Sequence, residues 1–251
     1  MHAMATGDQR DCRRIPQKLM ELVRNCYNCG VPSLDTPIPI PADLEDRHPV
    51  EVLGWAYRTF GTDRVVVTVS FEDAVLAHLV HLAEPAAEIV LLDTQYLFAE
   101  TLWFANELRE RFDLNIRVVE PAAEVTPDNR WQHDVEGCCA VRKVEPLNRA
   151  LAGHDAWVTG IRRVDGPSRA DAPVASFDVG RNLVKVNPLA TWDDEAVETW
   201  IAEHDLPANP LTERGYGSIG CWPCTRPTAP GEDRRAGRWS GSDKTECGLH
   251  L

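Results

Sequence analysis

Arg64-Val65-Val66-Val67-Thr68-Val69, followed by Ser70-Phe71-Glu72-Asp73 and an apolar periodic run to Leu82, decides the fold. The β-branched run reads as a buried strand, and the spacing of Val75, Leu79 and Leu82 puts them on one face of a helix over 72–82. The alternation continues down the chain. Residues 89–92 predict a strand, 98–112 a helix, 116–119 a strand and 156–161 a further strand. A hairpin-like segment after Gly180 leads to Leu183-Val184-Lys185-Val186, and 192–204 predict a helix whose first turn carries Asp193, Asp194 and Glu195, favourable to its dipole. Strand, helix, strand, helix predicts an α/β fold with a mostly parallel twisted sheet and helices on both faces.

In such sheets ligands sit outside the carboxyl ends of the strands. Three short loops leave those ends: Ser70-Phe71-Glu72-Asp73, Asp93-Thr94-Gln95 and Gly160-Ile161-Arg162-Arg163. Ser70 three residues before Asp73 fits a helix-capping pattern, and a phosphate could share the same helix N-terminus. Arg162, Arg163 and Arg169 stand around Gly166-Pro167-Ser168, while Arg234, Arg235 and Arg238 lie in a Gly-rich stretch near the end. In a chain of net charge −13, two arginine clusters beside one crevice predict forked binding of phosphate or sulfate.

That acidic balance argues against sequence-independent binding to nucleic acid, which relies on many Lys and Arg contacts to phosphate. No apolar run reaches membrane-spanning length, and residues 1–14 carry no apolar signal region, so the expected location is the cytoplasm, with no membrane partner. Length and composition predict an irregular, Pro-rich N-terminal arm over 1–49 with a helical stretch over 16–24. An α/β domain over 50–230 and a flexible C-terminal tail over 231–251 follow. A homo-oligomer is compatible with this sequence but not specified by it.

Eight cysteines in a chain read as cytoplasmic point to ligands or nucleophiles rather than to a disulfide framework. Cys26-x-x-Cys29, with Cys12 upstream, has no second pair near it. Cys138-Cys139 and Cys221-Trp222-Pro223-Cys224 form a four-thiolate set, which soft-ligand chemistry assigns to zinc or an iron–sulfur cluster. Adjacent cysteines suit a larger cluster better than one small ion, because neighbouring side chains diverge. If 136–144 is helical, Arg142 and Lys143 share the cysteine face, the bland alternative being a solvated charge pair. Cys247, in Lys244-Thr245-Glu246-Cys247-Gly248-Leu249-His250 at the end of a glycine-containing tail, reads as a nucleophile on a swinging arm.

These residues together resemble the assimilatory adenylyl-sulfate (APS) reductases. The likeness rests on Cys138-Cys139-Ala140-Val141-Arg142-Lys143, Cys221-x-x-Cys224 and the terminal Lys244–His250 run. Leu92-Asp93-Thr94, Glu100-Thr101, Thr159-Gly160-Ile161-Arg162-Arg163 and Arg238-Trp239 add to it. The resemblance implies a PP-loop type of nucleotide-binding fold and a 4Fe–4S cluster on Cys138, Cys139, Cys221 and Cys224. It implies reduction of APS to sulfite and AMP through a thiosulfonate on Cys247, with thioredoxin as reductant, in sulfate assimilation feeding cysteine biosynthesis. Around the nucleotide it implies Ser70, Leu92, Thr94, Lys143, Gly160, Arg162, Arg169, Arg235 and Arg238. The first loop departs from the S-G-G-x-D-S of ATP-cleaving relatives by lacking glycines, which disfavours a pyrophosphate and leaves room for a phosphosulfate.

Three other readings compete. The sister reductase for the 3′-phosphorylated substrate, PAPS, resembles this chain without the cluster cysteines. An iron–sulfur enzyme that thiolates RNA would need ATP activation and a basic surface. A scaffold held by structural zinc would leave Cys247 incidental and the protein colourless.

Overall fold

The strands are Val65–Thr68 (β1), Glu88–Leu92 (β2), Asn115–Val119 (β3), Ala156–Val158 (β4), Ala175–Asp178 (β5) and Leu183–Val186 (β6). They form one sheet in the order β3-β2-β1-β4-β6-β5. All neighbours are parallel except β5, which runs antiparallel to β6 at the edge. This computed structural model describes residues 38–240 with Lys244, Glu246, Gly248 and Leu249. All fall in the unit Thr36–Leu251. Cys12, Cys26, Cys29, Cys247 and the helix expected over 16–24 lie outside the described residues.

Alternation along the strands divides the core in two. Val65, Val67, Ile89, Leu91, Ala156 and Val158 face one apolar cluster, while Val66, Val90 and Trp157 face another. A sheet apolar on both faces must be covered on both, as the β-branched runs predict. On the first face lie the helices Pro49–Phe60 (α1), Val75–Ala83 (α2), Ala99–Phe112 (α3) and Asp194–Glu203 (α6), contributing Leu53, Leu79, Phe104, Leu108 and Trp200. On the second lies Glu145–Leu151 (α5), through Leu147, Ala150 and Leu151.

Helix α1 begins at Pro49, within the irregular arm expected over 1–49. Pro at the first helical position is tolerated because that N–H has no intrahelical partner, and His48 with Glu51 completes a capping box. The short turn Ala42–Asp46 precedes it, and its Leu44 is 2% exposed in the main core. Helix α2 starts three residues later than expected, and Ser70 does not cap it. Its N-cap is Ala74 without a side-chain bond, and Asp73 accepts from the Val75 N–H instead. Strand β4 stops at Val158 rather than Ile161, where Thr159 Oγ1 turns the chain by accepting from the Ile161 N–H.

The cysteine pair sits on Val135–Cys139 (α4), capped by Asp134 Oδ1 on the Gly137 N–H at 2.8 Å. A π-helical turn, Ala140–Val144, joins α4 to α5. Its cause is Pro146, which has no N–H to offer the Arg142 carbonyl four residues back and would collide with it. No helix among the described residues is long and apolar enough to cross a membrane.

Candidate active site

Strand β1 has β2 on one side and β4 on the other, so the chain order reverses at β1 and β4, and the loops leaving their carboxyl ends splay apart to form a crevice. A cavity of about 210 Å³ lies there. All nine residues carried over for the nucleotide line it: Ser70, Leu92, Thr94, Lys143, Gly160, Arg162, Arg169, Arg235 and Arg238. Arg163 turns away, bonding the Ala172 carbonyl and Glu45.

The first loop takes its shape without glycine. Phe71 has φ +54° and is fully buried, a left-handed conformation that costs energy for a side chain this large. Its carbonyl accepts from Asn209 Nδ2 at 3.0 Å. The next residue, Glu72, accepts from Ser218 Oγ at 3.2 Å and the Ile219 N–H at 3.0 Å, and pairs with Arg234. Glu72 and Arg234 thereby tie the β1 loop to the C-terminal part of the wall. The pairing has no local signal in the sequence, since its partners stand 162 positions apart.

The cations differ in their commitments. Arg162 reaches Asp165 at 3.0 Å and Asp194 at 2.8 Å. Arg238 bonds Ser218 Oγ and the Ile219 carbonyl at 3.2 and 3.3 Å, and its guanidinium lies 4.6 Å from the Trp239 ring centre. It fits because Gly220 has no Cβ, which would collide with the guanidinium. Arg169 closes a fork on Glu246, with Nε to Oε1 at 2.7 Å and Nη2 to Oε2 at 2.8 Å. Arg235 stands 3.6 Å from the same carboxylate, and Ser168 Oγ donates to it at 3.1 Å. Burial pushes Glu246 toward the neutral acid, but these partners outweigh it and hold its pKa down to about 2.

The four cysteines gather beside this cavity around a second, smaller pocket. Thr94, Lys143, Cys221 and Trp239 line both. The two sites therefore share a wall. Thr94 Oγ1 lies 3.1 Å from Cys221 Sγ. Cys138, Cys139 and Cys221 are buried and Cys224 half-buried, and none forms a disulfide. Burial, then proximity to Cys221, raises the pKa of both Cys138 and Cys224. Among the described residues, no three His, Cys, Asp or Glu side chains form a ready-made site for a metal ion.

Arg142 and Lys143 share the cysteine site but not a role. Arg142 is 1% exposed rather than solvated. It donates to Gln95 Oε1 at 2.7 Å and to the Thr126 carbonyl at 2.6 Å, and lies 4.5 Å from the Tyr96 ring centre. Lys143 faces the shared wall.

Sheet order and an arginine-lined crevice at the carboxyl ends of the strands define an α/β protein of the PP-loop, nucleotide-binding type. The chain belongs to the phosphoadenosine phosphosulfate reductase domain family, whose domain matches residues 64–227. A protein of Streptomyces coelicolor named adenosine 5′-phosphosulfate reductase is 46% identical over 214 residues, covering 83% of this chain and 90% of that protein. One of the same name from Mycolicibacterium smegmatis is 43% identical, covering 84% and 91%. Among solved structures, the phosphoadenylyl-sulfate reductase of Candida auris in its phosphate complex is 25% identical with a TM-score of 0.65, covering 76% of this chain and 100% of that one. The FMN adenylyltransferase of Candida glabrata, with FMN and an ATP analogue, is 14% identical at a TM-score of 0.55 over 76% and 70%, a likeness of fold alone.

Proposed function

We propose that this chain is an oxidoreductase that reduces adenosine 5′-phosphosulfate to sulfite and AMP in sulfate assimilation. The observation that carries the reading is the wall shared by an arginine-lined nucleotide cavity and a four-cysteine pocket. Names of relatives at 41–46% identity support APS over PAPS. The non-enzyme scaffold leaves the anion-binding cavity unexplained.

Cys138, Cys139, Cys221 and Cys224 would hold a 4Fe–4S cluster. The donor set fits: four thiols surround one pocket, and at Cys138 and Cys224 burial and the neighbouring Cys221 disfavour the thiolate, a cost that a cationic metal group would relieve. When bound, the cluster supplies fixed charge and structural restraint next to the substrate sulfate. Lys143, between the pockets, offsets negative charge on both sides.

Arg235 and Arg238 grip the phosphosulfate by forked hydrogen bonds, while Ser70, Leu92, Thr94, Gly160 and Arg162 form the nucleotide part of the cavity. The Cys247 thiolate attacks the substrate sulfur. A sulfur–sulfur bond forms, the sulfur–oxygen bond to phosphate breaks, and AMP leaves with the bonding pair. A thiolate of thioredoxin then attacks Cys247 Sγ and expels sulfite. Its second thiol resolves the mixed disulfide, so that two electrons come from thioredoxin. Such chemistry belongs in a reducing compartment, the cytoplasm.

Anaerobic turnover with APS and PAPS in parallel, with thioredoxin present, tests the reading through sulfite release. The expected result is a brown protein that releases sulfite from APS in large preference to PAPS. Incubated with APS but without thioredoxin, it gains one sulfonate on the C-terminal peptide. A colourless protein, equal rates on both nucleotides, or full activity in Cys247→Ser contradicts it.

A further inference from the structure

Glu246 is 9% exposed, and its carboxylate takes both arms of the Arg169 fork, a hydroxyl from Ser168 and the charge of Arg235. Arg169 is meanwhile anchored through Nη1 to Asp165 Oδ2 at 3.0 Å. A guanidinium whose fork already closes on a carboxylate does not present that fork to a substrate anion. The cavity nevertheless stays open with Glu246 in place, and Leu249, three residues further on, forms part of its wall.

Two other points of the same segment are tied down. Lys244 Nζ lies 2.5 Å from Glu136 Oε1 on α4. The Leu249 carbonyl accepts from Arg181 Nη2 at 3.1 Å, and its side chain packs against the second core. Of the three ties, the one at Glu246 alone is made to arginines that line the cavity.

We infer that Glu246 is a positioning residue, whose carboxylate latches the terminal segment onto Arg169 and Arg235 and so holds the residue bonded to it, Cys247, at the nucleotide cavity. The inference rests on the reading of Cys247 as nucleophile. It reassigns Arg169 from gripping substrate to receiving the latch. A buried bidentate pair suits a latch because removing either side strips a buried charge of its two-bonded partner, leaving Glu246 with the more distant Arg235 and the Ser168 hydroxyl, and Arg169 with Asp165. Misplacement of a reacting group by about 1 Å is enough to cost about a hundredfold in rate.

The test uses the full chain with its metal content matched to the parent, in three variants: Glu246→Gln, Arg169→Ala and the double. Sulfonate formation on the C-terminal peptide is followed at saturating APS without thioredoxin, AMP affinity is measured by competition, and trypsin cleavage after Lys244 reports docking. The expected result in both single variants is faster cleavage, adduct formation slowed by about tenfold or more, and AMP affinity within about threefold of the parent. The double variant should be no slower than the slower single, as for two halves of one contact. Unchanged cleavage overturns the latch, and faster cleavage with parental adduct rates overturns its positioning role. AMP affinity that falls with the rate in Arg169→Ala returns Arg169 to the substrate and overturns the reassignment. A parent that forms no adduct on Cys247 overturns the functional reading first, and is distinguished from these outcomes by needing no variant.

Discussion

Arg238 and Arg169 line one cavity, yet their partners set opposite expectations for the same substitution. Among the described residues, the hydrogen bonds of Arg238 go to neutral oxygens of Ser218 and Ile219 and none to a carboxylate, which on the proposed function leaves its charge for the substrate. Arg238→Ala should cost roughly 1.5–3 kcal/mol, or about ten- to a hundredfold in AMP affinity or kcat/KM, with folding retained. Calorimetric binding of AMP to both variants checks this, since Arg169→Ala is expected to bind nearly as the parent does. His78 supplies a residue-scale pH dependence. Burial, then the nearby His204, His81 and Arg111, lowers its pKa from 6.5 to about 4, and its Nδ1 accepts from Trp200 Nε1 at 3.1 Å. Between those values the unfolded chain binds the extra proton. Its contribution to stability is therefore full above pH 6.5 and declines by about 2–3 kcal/mol as pH falls toward 4. Urea midpoints against pH should show that slope in the parent and a flatter one in His78→Gln.

At the scale of elements, the helix carrying the cysteine pair is short and depends on its cap. A Cβ on Gly137 would run into the Asp134 carboxylate that caps α4. Gly137→Ala should therefore displace the cap and cost about 1–2 kcal/mol, despite alanine's better helix propensity. With the proposed cluster bound, the decrease in thermal midpoint should be accompanied by lower iron retention, because Cys138 and Cys139 stand in the same turns. The π turn that follows has a signal in the sequence, Pro146, but its consequence does not. Arg142 and Lys143 both line the cysteine pocket, as a helix over 136–144 would place them, but Arg142 is buried against Tyr96 whereas Lys143 also lines the nucleotide cavity.

For the molecule as a whole, the core begins before the α/β alternation does. Leu44 belongs to the main cluster, and Leu44→Ala should cost about 2–5 kcal/mol, read from urea unfolding, if the site collapses as poorly as other buried leucine sites. A surface leucine would cost much less. Excess negative charge and the concentration of arginine at one crevice also belong to this scale. The cations matter because the sheet order brings loops from β1, β2 and β4 to one end, where the C-terminal segment adds Arg234, Arg235 and Arg238.

What the sequence by itself determined is local in origin. The β-branched runs placed β1, β2, β3 and β6 to within a residue, and alternating strands and helices defined the sheet as mostly parallel and covered on both faces. The spacing of the cysteines, with the residues that resemble APS reductases, singled out thirteen residues, each of which lines one or both of the two adjoining pockets. Helix α1 carried its own signal in His48-Pro49-x-Glu51, obscured by the prolines before it. Only tertiary structure decided the pairings of Glu72 with Arg234 and of Glu246 with Arg169, the burial of Arg142, and the approach of Thr94 to Cys221. The reason is that a charge or thiol finds its partner through strand order and loop direction. Those are set by how the whole sheet packs, and no window of sequence short enough to show periodicity contains both members of such a pair.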